Sequence, residues 1–574
     1  MKRFMWVIPI VLVIIPLLRL QYFPMHDAQH IARLFVFDQA VRQGNIYPRW
    51  VEGLGFGFGY PLFNFYPPLI YYIAEVFHLI GFGLVWSIKS MLTFGFILSF
   101  WGVYTLVRRK TNDTYSSVLG GILYLMAPYH AVLVYVRGAF AEFFAYAMIP
   151  WVFVGFDMVQ KTGAISLFSL AFALLVVSHP LIAFPFVLLF AIYFIAIYVI
   201  ASNKWVLIIK TAIGSLLGLG LSAFFWMPSM FERRFTLVDK ILTHGLADYK
   251  MHFVYIRQLL YSPWGYGGSI YGLEDGMSFR VGEVHIFFAI ISTIALLFIV
   301  FRRKTQKLTI VEIYIFLGMG LMSAYLTIFK SQYIWDSIRF LWYLQFPWRL
   351  LTFVAFFLSV GIALWLRTLK KISRIMIVVI AALFIYILYT PLFEPAYYVT
   401  GQDNYYITKD QLNWEVSKTS YEFMYKDVKT KQVGPFFSFP LSKKQLSTTL
   451  VDTQNDAQVT IHKNKVSVKE LLIHVQRETT LTLNRSYFPG WKAYVDGKLV
   501  AIDHSDAVQR MYVTIPKGTH SVLFRFETTT IRIISWIITF ASALLWLYFV
   551  QIETMWAKRL WIFFHKSDRP LAGE

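Results

Sequence analysis

Long runs of apolar residues, separated by short polar or charged stretches, recur through the first two thirds of the chain. Each run has roughly 20 residues, which is enough for a helix to cross the ~30 Å hydrocarbon core of a bilayer. By this length criterion the pattern predicts about twelve transmembrane helices. The first run, Phe4 to Leu20, follows Lys2 and Arg3 and precedes no small-residue cleavage site, so we expect a retained helix and not a signal peptide.

The pattern changes near residue 392. From Tyr397 to Thr530 the chain is polar, and stretches such as LTLNRSYF and RMYVTI alternate apolar and polar positions. Turn sequences such as Asp496-Gly497 separate these stretches, which predicts antiparallel strands in a small β-sandwich. The predicted divisions are a transmembrane domain over 1–391 with an external loop at 21–86, a β-rich domain over 392–530, and a final helix and tail over 531–574.

Basic residues cluster between the apolar runs. The formal net charge is +21 and 57% of the residues are hydrophobic, and the positive-inside rule explains such clusters better than a nucleic-acid partner does. With the N-terminus in the cytoplasm, every cluster faces the cytoplasm if Pro67 to Phe82 lies along the outer surface, as its paired prolines and aromatic face favour. We therefore predict a multi-pass plasma-membrane protein with both termini cytoplasmic and the β-rich domain extracellular.

The chain has no cysteine. Disulfides, thiolate nucleophiles and cysteine metal sites are therefore excluded. Catalysis, if present, must depend on carboxylates, histidines and arginines.

Asp27 lies where the first helix leaves the membrane, a place where an ionised group is costly unless a partner or a function holds it. The surrounding His26-Asp27-Ala28-Gln29-His30 is only a poor relative of the H-E-x-x-H zinc-protease pattern, because Asp has a shorter reach than Glu and no third ligand is evident. The structural alternative for Asp27 is a helix cap or an ion pair with Arg33.

Four pieces of sequence resemble one superfamily. They are the first loop, with GNIYPRW at 44–50, GLGFGFGYP at 53–61 and NFYPPL at 64–69, then YVRGAFAE at 135–142, QFPWR at 345–349, and YFPGW at 487–491 with the Asp496-Gly497 turn. Together they resemble the polytopic GT-C glycosyltransferases, specifically a bacterial membrane family labelled as 6-pyruvoyl-tetrahydropterin synthase-related, and also YfhO-like proteins. The pterin label has no chemical weight, since that synthase is a compact zinc protein.

The resemblance implies a hexosyltransferase-like enzyme. Such an enzyme moves a sugar from a polyprenyl-phosphate donor to an acceptor hydroxyl at the outer face, on a cell-surface polymer, a glycolipid or a protein. It also implies an acidic residue in the first external loop as base or metal ligand, and Asp27 matches that position. An inverting outcome is implied by the resemblance alone. Independently, a carboxylate at the outer interface can take the acceptor proton.

A departing phosphate needs cationic donors, and the planar fork of arginine suits it best. Arg137 and Arg349 both lie at predicted outer helix ends, although snorkelling, or an internal pair with Glu142, explains them equally well. The predicted substrate-binding residues are Arg137, Glu142, Arg349, His30, His179 and Arg49. Single histidines more often satisfy helix ends than bind ligands.

The sequence does not decide on a cofactor. None is required with certainty, and a divalent metal, Mg²⁺ or Mn²⁺, held by His26, Asp27 and His30 is left open. Two other functions compete: a flippase for lipid-linked sugars, which needs helix repeats and polar residues near the midplane, and a non-catalytic scaffold that binds cell-wall polymer. The concentration of polar residues at the outer helix ends favours the transferase.

Overall fold

The computed structural model describes residues 7–241, 247–302, 307–400, 403–433, 436–454 and 457–566. Most of these residues are helical. The α-helices are α1 Val7–Ile14, α2 His30–Arg42, α3 Leu62–Phe65, α4 Leu69–Leu79, α5 Leu84–Thr111, α6 Thr114–Leu125, α7 Pro128–Ala131, α8 Phe140–Thr162, α9 Ser166–Ser178, α10 Pro180–Ile200, α11 Lys204–Leu221, α12 Ala223–Glu232, α13 Val238–Ile241, α14 Ile256–Leu260, α15 Glu283–Arg302, α16 Lys307–Tyr325, α17 Gln332–Ser337, α18 Leu351–Leu366, α19 Lys371–Tyr389, α20 Asp403–Tyr406 and α21 Thr530–Lys566.

Seven helices in the described ranges are long and apolar enough to cross a membrane, and an eighth span results if the bent pair Thr114–Leu125 and Pro128–Val136 is one span. The two parts of that pair meet at 47°, where Pro128 interrupts helical hydrogen bonding. Five further apolar helices have 10 to 17 residues. The chain is thus a multi-pass membrane protein, and the number twelve stays a prediction.

Helix α4 covers most of the segment that we predicted to lie on the outer surface. Its 11 residues extend about 16 Å, roughly half the thickness of the hydrocarbon core. It contacts α2, α5, α8 and α9. The helix is therefore short for a complete crossing, and its position along the outer surface stays a prediction.

Basic residues that were predicted to face the cytoplasm meet at one end of the helical region. The buried carboxylate of Asp157, near the end of α8, lies 2.8 Å from Arg109 and 3.0 Å from Lys161. Arg374 pairs with Asp113 at 2.6 Å. Asp157 is about 22 Å along α8 from Glu142, so this end and the Glu142 end are separated by most of a bilayer thickness.

The polar region after α19 contains two antiparallel sheets and a short hairpin. The larger sheet has the order β4-β5-β10-β7-β8 and the smaller one β3-β6-β9, and β1 pairs with β2. Strands β5, β7 and β9 alternate buried and more exposed residues, as expected for sheets with one covered face. The predicted strands are present, and their arrangement as a sandwich stays a prediction. The strands are β1 Lys431–Val433, β2 Phe436–Ser438, β3 Val451–Thr453, β4 Ala457–Lys465, β5 Val468–Val475, β6 Thr479–Ser486, β7 Trp491–Val495, β8 Lys498–Val500, β9 Arg510–Ile515 and β10 Gly518–Phe526.

The first loop, residues 21–86, is packed directly against this polar region. Phe56 stacks on Phe439 with ring centroids 3.7 Å apart, and the Ser486 N–H donates to the Phe58 carbonyl at 2.9 Å. Gly59 makes the close packing possible, because its φ is +74° and a Cβ there would lie 2.8 Å from the Val51 carbonyl oxygen. The division at residue 392 stays a prediction, but the two regions share an extensive aromatic interface.

Candidate active site

Asp27 is fixed by its own backbone. The N–H groups of His26 and Asp27 donate to the carbonyls of Val136 and Arg137 at 3.0 and 2.8 Å. Gly138 permits this approach, because its φ is +67° and a Cβ there would lie 2.4 Å from the Met25 sulfur. The candidate base is therefore held against the Arg137 segment, more than 100 residues further along the chain.

Glu142 joins the two arginines that were predicted to bind phosphate. Its Oε2 accepts from Arg137 Nη1 at 2.7 Å and from Arg349 Nε at 3.2 Å. Its Oε1 accepts from the Tyr129 hydroxyl at 2.6 Å. The Glu142 side chain is fully buried, and the Arg137 guanidinium also lies 4.6 Å from the centroid of the Trp348 ring. One carboxylate thus serves two guanidinium groups, and the cluster has one surplus positive charge.

The sequence left phosphate binding and an internal pair with Glu142 as alternatives for these arginines. The structure shows the internal pair. This pairing leaves both arginines able to bind a ligand, because the two cations share one anion and each guanidinium has five N–H donors. Glu142 therefore orients both groups and leaves a net positive charge for a ligand.

The positive charges of Arg137 and Arg349 act on the carboxylate of Asp27. Burial raises the pKa of Asp27 above its ordinary value of 3.8. Four basic side chains oppose the rise without cancelling it: Arg137, Arg33, Arg349 and His26. Asp27 is partly exposed, so a ligand that reaches it would contact a carboxylate with increased basicity close to several cations.

His30 has no nitrogen available for a ligand. Nε2–H donates to the Gly138 carbonyl at 2.6 Å, and Nδ1 accepts from the Tyr71 hydroxyl at 3.1 Å. Burial lowers the pKa of His30 to about 3, so the ring is neutral. His30 therefore connects the first loop to the Arg137 segment, and the prediction that it binds substrate directly receives no support from this geometry.

The predicted metal ligands do not form a three-residue site. His26 Nε2 donates to the Tyr266 carbonyl at 3.1 Å, while both nitrogens of His30 are engaged as above. In the described ranges no group of three or more His, Asp or Glu residues is arranged to hold a metal ion. The arrangement of His26, Asp27 and His30 does not fit the metal that the sequence left open.

His179 lies close to the arginine cluster, at the N-terminus of α10. Its Nδ1 accepts from the Ile182 N–H at 3.1 Å, which satisfies one of the free amides at a helix start. Burial, followed by the charge of Arg349, lowers the pKa of His179 to about 3, although Glu142 opposes this. His179 is a neutral helix cap whose ring borders the site.

Arg49 belongs to a different network. It donates to the Asn64 side chain at 2.8 Å and to the Phe224 carbonyl at 2.7 Å. Asn64 donates to Glu232, which accepts from Arg532 of α21 at 2.9 Å. Arg49 therefore connects the first loop to α12 and α21 and is not part of the Asp27 cluster.

Sequence reasoning did not assign a site role to Arg33 or Tyr129. Arg33 follows His30 by three residues on α2, so both occupy one helix face, and that spacing was a usable signal. No sequence pattern indicated a role for Tyr129, because its hydroxyl approaches Glu142 only through the bend that precedes α7.

An apolar cavity of about 290 Å³ opens between α4, α5, α8 and α9. It lies below the arginine cluster along α8, since Phe144 and Met148 follow Glu142 by two and six residues. The indole N–H of Trp151, which is the only polar group of this side chain, donates a hydrogen bond to the Leu98 carbonyl at 3.1 Å. The lining residues include Leu69, Phe94, Phe144, Met148, Trp151 and Leu174.

Two solved structures share part of this architecture. The arabinofuranosyltransferase AftD from mycobacteria aligns with a TM-score of 0.43 and 12% identity, over 71% of this chain and 28% of the AftD chain. ArnT from Cupriavidus metallidurans, bound to undecaprenyl phosphate, aligns with a TM-score of 0.31 and 10% identity, over 63% of this chain and 76% of ArnT. No protein-family model matches the chain, and no curated protein matches it. Likeness at this level assigns no family.

Proposed function

We propose that this protein is a membrane glycosyltransferase that moves a sugar from a polyprenyl-phosphate donor to an acceptor hydroxyl at the outer face. The observation that carries the proposal is the convergence of Asp27 with Arg137, Arg349 and Glu142 at one end of the helical region. The sequence resemblance to GT-C enzymes points to the same reaction. The proposal does not depend on a metal ion at His26, Asp27 and His30.

In the proposed reaction the acceptor oxygen attacks the anomeric carbon of the sugar. Asp27 takes the hydroxyl proton as the new C–O bond forms. The bond between the anomeric carbon and the phosphate oxygen breaks, and its electron pair stays with the polyprenyl phosphate. Arg137 and Arg349 stabilise the charge that develops on the leaving phosphate, since their surplus charge is fixed before the reaction.

The apolar cavity supports a lipid-linked donor. A polyprenyl chain must stay in an apolar environment while its phosphate reaches the outer interface. The cavity is bounded by α8, the helix that also provides Glu142. A chain in the cavity would therefore lie on the membrane side of the arginines, and binding of the tail would orient the anomeric carbon towards Asp27.

The test is the change Asp27→Asn in purified full-length protein in lipid nanodiscs. The donors are undecaprenyl phosphates that carry radiolabelled glucose, galactose, mannose, N-acetylglucosamine or arabinofuranose, and the acceptors are octyl glycosides. Loss of the base is expected to lower kcat by about 100-fold or more. Asp496→Asn is the matched control, because Asp496 has a φ of +49°, which asparagine tolerates, and lies in an exposed turn.

Two results would contradict the proposal. Transfer by Asp27→Asn at the wild-type rate would remove Asp27 from the chemistry. Movement of lipid-linked sugar across vesicle membranes, unaffected by the same change and without any sugar transfer, would favour the flippase instead.

A further inference from the structure

A second polar cluster adjoins Asp27 and has no part in the reaction above. Arg33 on α2 donates from Nη2 to the Ser420 hydroxyl at 2.6 Å, and its guanidinium lies 4.1 Å from the Tyr66 ring centroid. The Ser420 hydroxyl donates to Glu422 Oε1 at 3.4 Å. Burial raises the pKa of Glu422 above its ordinary value, and the charge of Asp27 adds to this rise. The charge of Arg33 opposes the rise of the pKa at both Glu422 and Asp27. Asp27, from the first loop, and Glu422, from the region after α19, are therefore both influenced by the charge of Arg33, which reaches Glu422 through the Ser420 hydroxyl.

The chain around Glu422 is firmly held. Phe423 stacks on Phe65 of the first loop with ring centroids 5.5 Å apart. The Met424 carbonyl accepts from the Leu237 N–H at 3.1 Å. Both Phe423 and Met424 are buried, whereas Glu422 between Tyr421 and Phe423 is partly exposed. The carboxylate of Glu422 is thus presented from an ordered segment.

Glu422 has unused capacity to accept hydrogen bonds. In the part of the chain that the structure describes, it forms no ion pair within 4 Å, and the same holds for Arg33. The buried Nε and Nη1 of Arg33 have no hydrogen-bond partner in the described residues. A carboxylate offers about four lone-pair sites, so Glu422 can accept further hydroxyl groups, and the charge of Arg33 opposes the rise of its pKa that burial causes.

We propose that Glu422 binds a second hydroxyl group of the acceptor beside Asp27, and that the acceptor is therefore a carbohydrate. This inference rests on the proposed glycosyltransferase function. The attacked hydroxyl gives its proton to Asp27, and a neighbouring hydroxyl of the same sugar ring donates to Glu422. Ser420 and Arg33 hold the Glu422 carboxylate in place. A site with two acid acceptors selects a sugar over an alcohol with one hydroxyl group, because the simple alcohol leaves one carboxylate without a donor.

The test uses full-length protein in lipid nanodiscs, the donor panel described above, and two acceptors with the same alkyl chain, octyl β-glucoside and 1-octanol. The wild-type protein is expected to use octyl β-glucoside in preference to 1-octanol. Glu422→Gln is expected to raise the KM for octyl β-glucoside by about 10- to 100-fold, which is the loss of one hydrogen bond to a charged group. The KM for the donor and the slow hydrolysis of donor by water are expected to change by less than about threefold, since neither involves a second acceptor hydroxyl.

Glu415→Gln is the matched control for this experiment. Glu415 lies in the same external segment, is partly exposed, and pairs with Lys418 at 2.5 Å. The same chemical change there is expected to leave the KM for octyl β-glucoside as in wild type. A comparable increase of KM in both variants would indicate a general effect on the segment and would overturn the assignment of Glu422.

The two proposals fail in different ways. If wild-type protein neither transfers nor hydrolyses the sugar of any donor in the panel, the proposed function fails and this inference fails with it. If wild-type protein transfers sugar but Glu422→Gln keeps the wild-type KM for octyl β-glucoside, only the inference fails. Equal use of 1-octanol and octyl β-glucoside by the wild-type protein would also overturn it.

Discussion

Replacing Glu142 by glutamine tests the charge balance of the arginine cluster. The Glu142 carboxylate is fully buried, and the side chains of Arg137 and Arg349 are only 7% and 9% exposed. Glutamine keeps the shape but leaves two buried guanidinium groups without a counter-charge. Removing one partner of a buried ion pair typically costs about 3–5 kcal/mol. Because both arginines lose their anion, we expect the upper part of that range, or roughly a 1000-fold larger unfolding constant.

Arg349→Met should have a smaller effect on stability. It leaves Arg137 and Glu142 as a balanced pair, and the main loss is the 2.6 Å hydrogen bond from Arg349 to the Leu344 carbonyl. Such a loss costs about 1–3 kcal/mol. The double variant Glu142→Gln with Arg349→Met should therefore be more stable than Glu142→Gln alone, since it contains one unbalanced cation instead of two.

The assay is unfolding in mixed micelles at increasing mole fractions of SDS, followed by tryptophan fluorescence. Glu415→Gln, at an exposed ion pair, is the control and should change the free energy of unfolding by less than about 1 kcal/mol. If Arg349→Met destabilises the protein as much as Glu142→Gln does, or if the double variant is the least stable, the surplus positive charge is not the property that makes Glu142 necessary.

Three more predictions follow from the same contacts. The pKa of Asp27 is raised, so kcat/KM should rise with pH as Asp27 loses its proton, with an inflection above pH 3.8; an inflection at or below that value would contradict this assignment of the base. Gly138→Ala should lower kcat by about 100-fold while the protein still folds, because the new Cβ collides with Met25 and displaces the Asp27 backbone; wild-type kinetics would contradict the role of this contact. Glu232→Gln should lower the free energy of unfolding by at least about 3 kcal/mol, because it leaves buried Arg532 without its anion; SDS unfolding measures the change, and a loss below about 1 kcal/mol would be evidence against a structural role.

The sequence predicted the site in part because local patterns place residues at helix ends. Asp27, Arg137 and Arg349 were expected at outer helix ends, with Glu142 as a candidate partner of the arginines, and the structure brings the four together. The sequence could not decide between binding a ligand and pairing internally, because that depends on the distance between α8 and the start of α18. Glu422 gave no signal, since it is 395 residues from Asp27 and approaches it only through tertiary packing.

The fold was predictable to a similar extent. Apolar runs and alternating stretches reveal helices and strands, because each follows one periodicity. The number of membrane crossings is harder to predict, since helices of 10 to 17 residues give the same composition whether they cross, enter partway or lie on the surface. Arg49 shows the corresponding limit for single residues, because an arginine in an aromatic loop can equally well connect the loop to another helix.

The aromatic contact between the first loop and the polar region has a consequence for engineering. Phe56 stacks on Phe439, and Phe65 stacks on Phe423, so each region covers buried apolar rings of the other. A chimaera that exchanges the region after α19 with that of another protein must therefore exchange residues 50–66 as well. Residues 50–66 and the region after α19 are distant in sequence but have to be transplanted together.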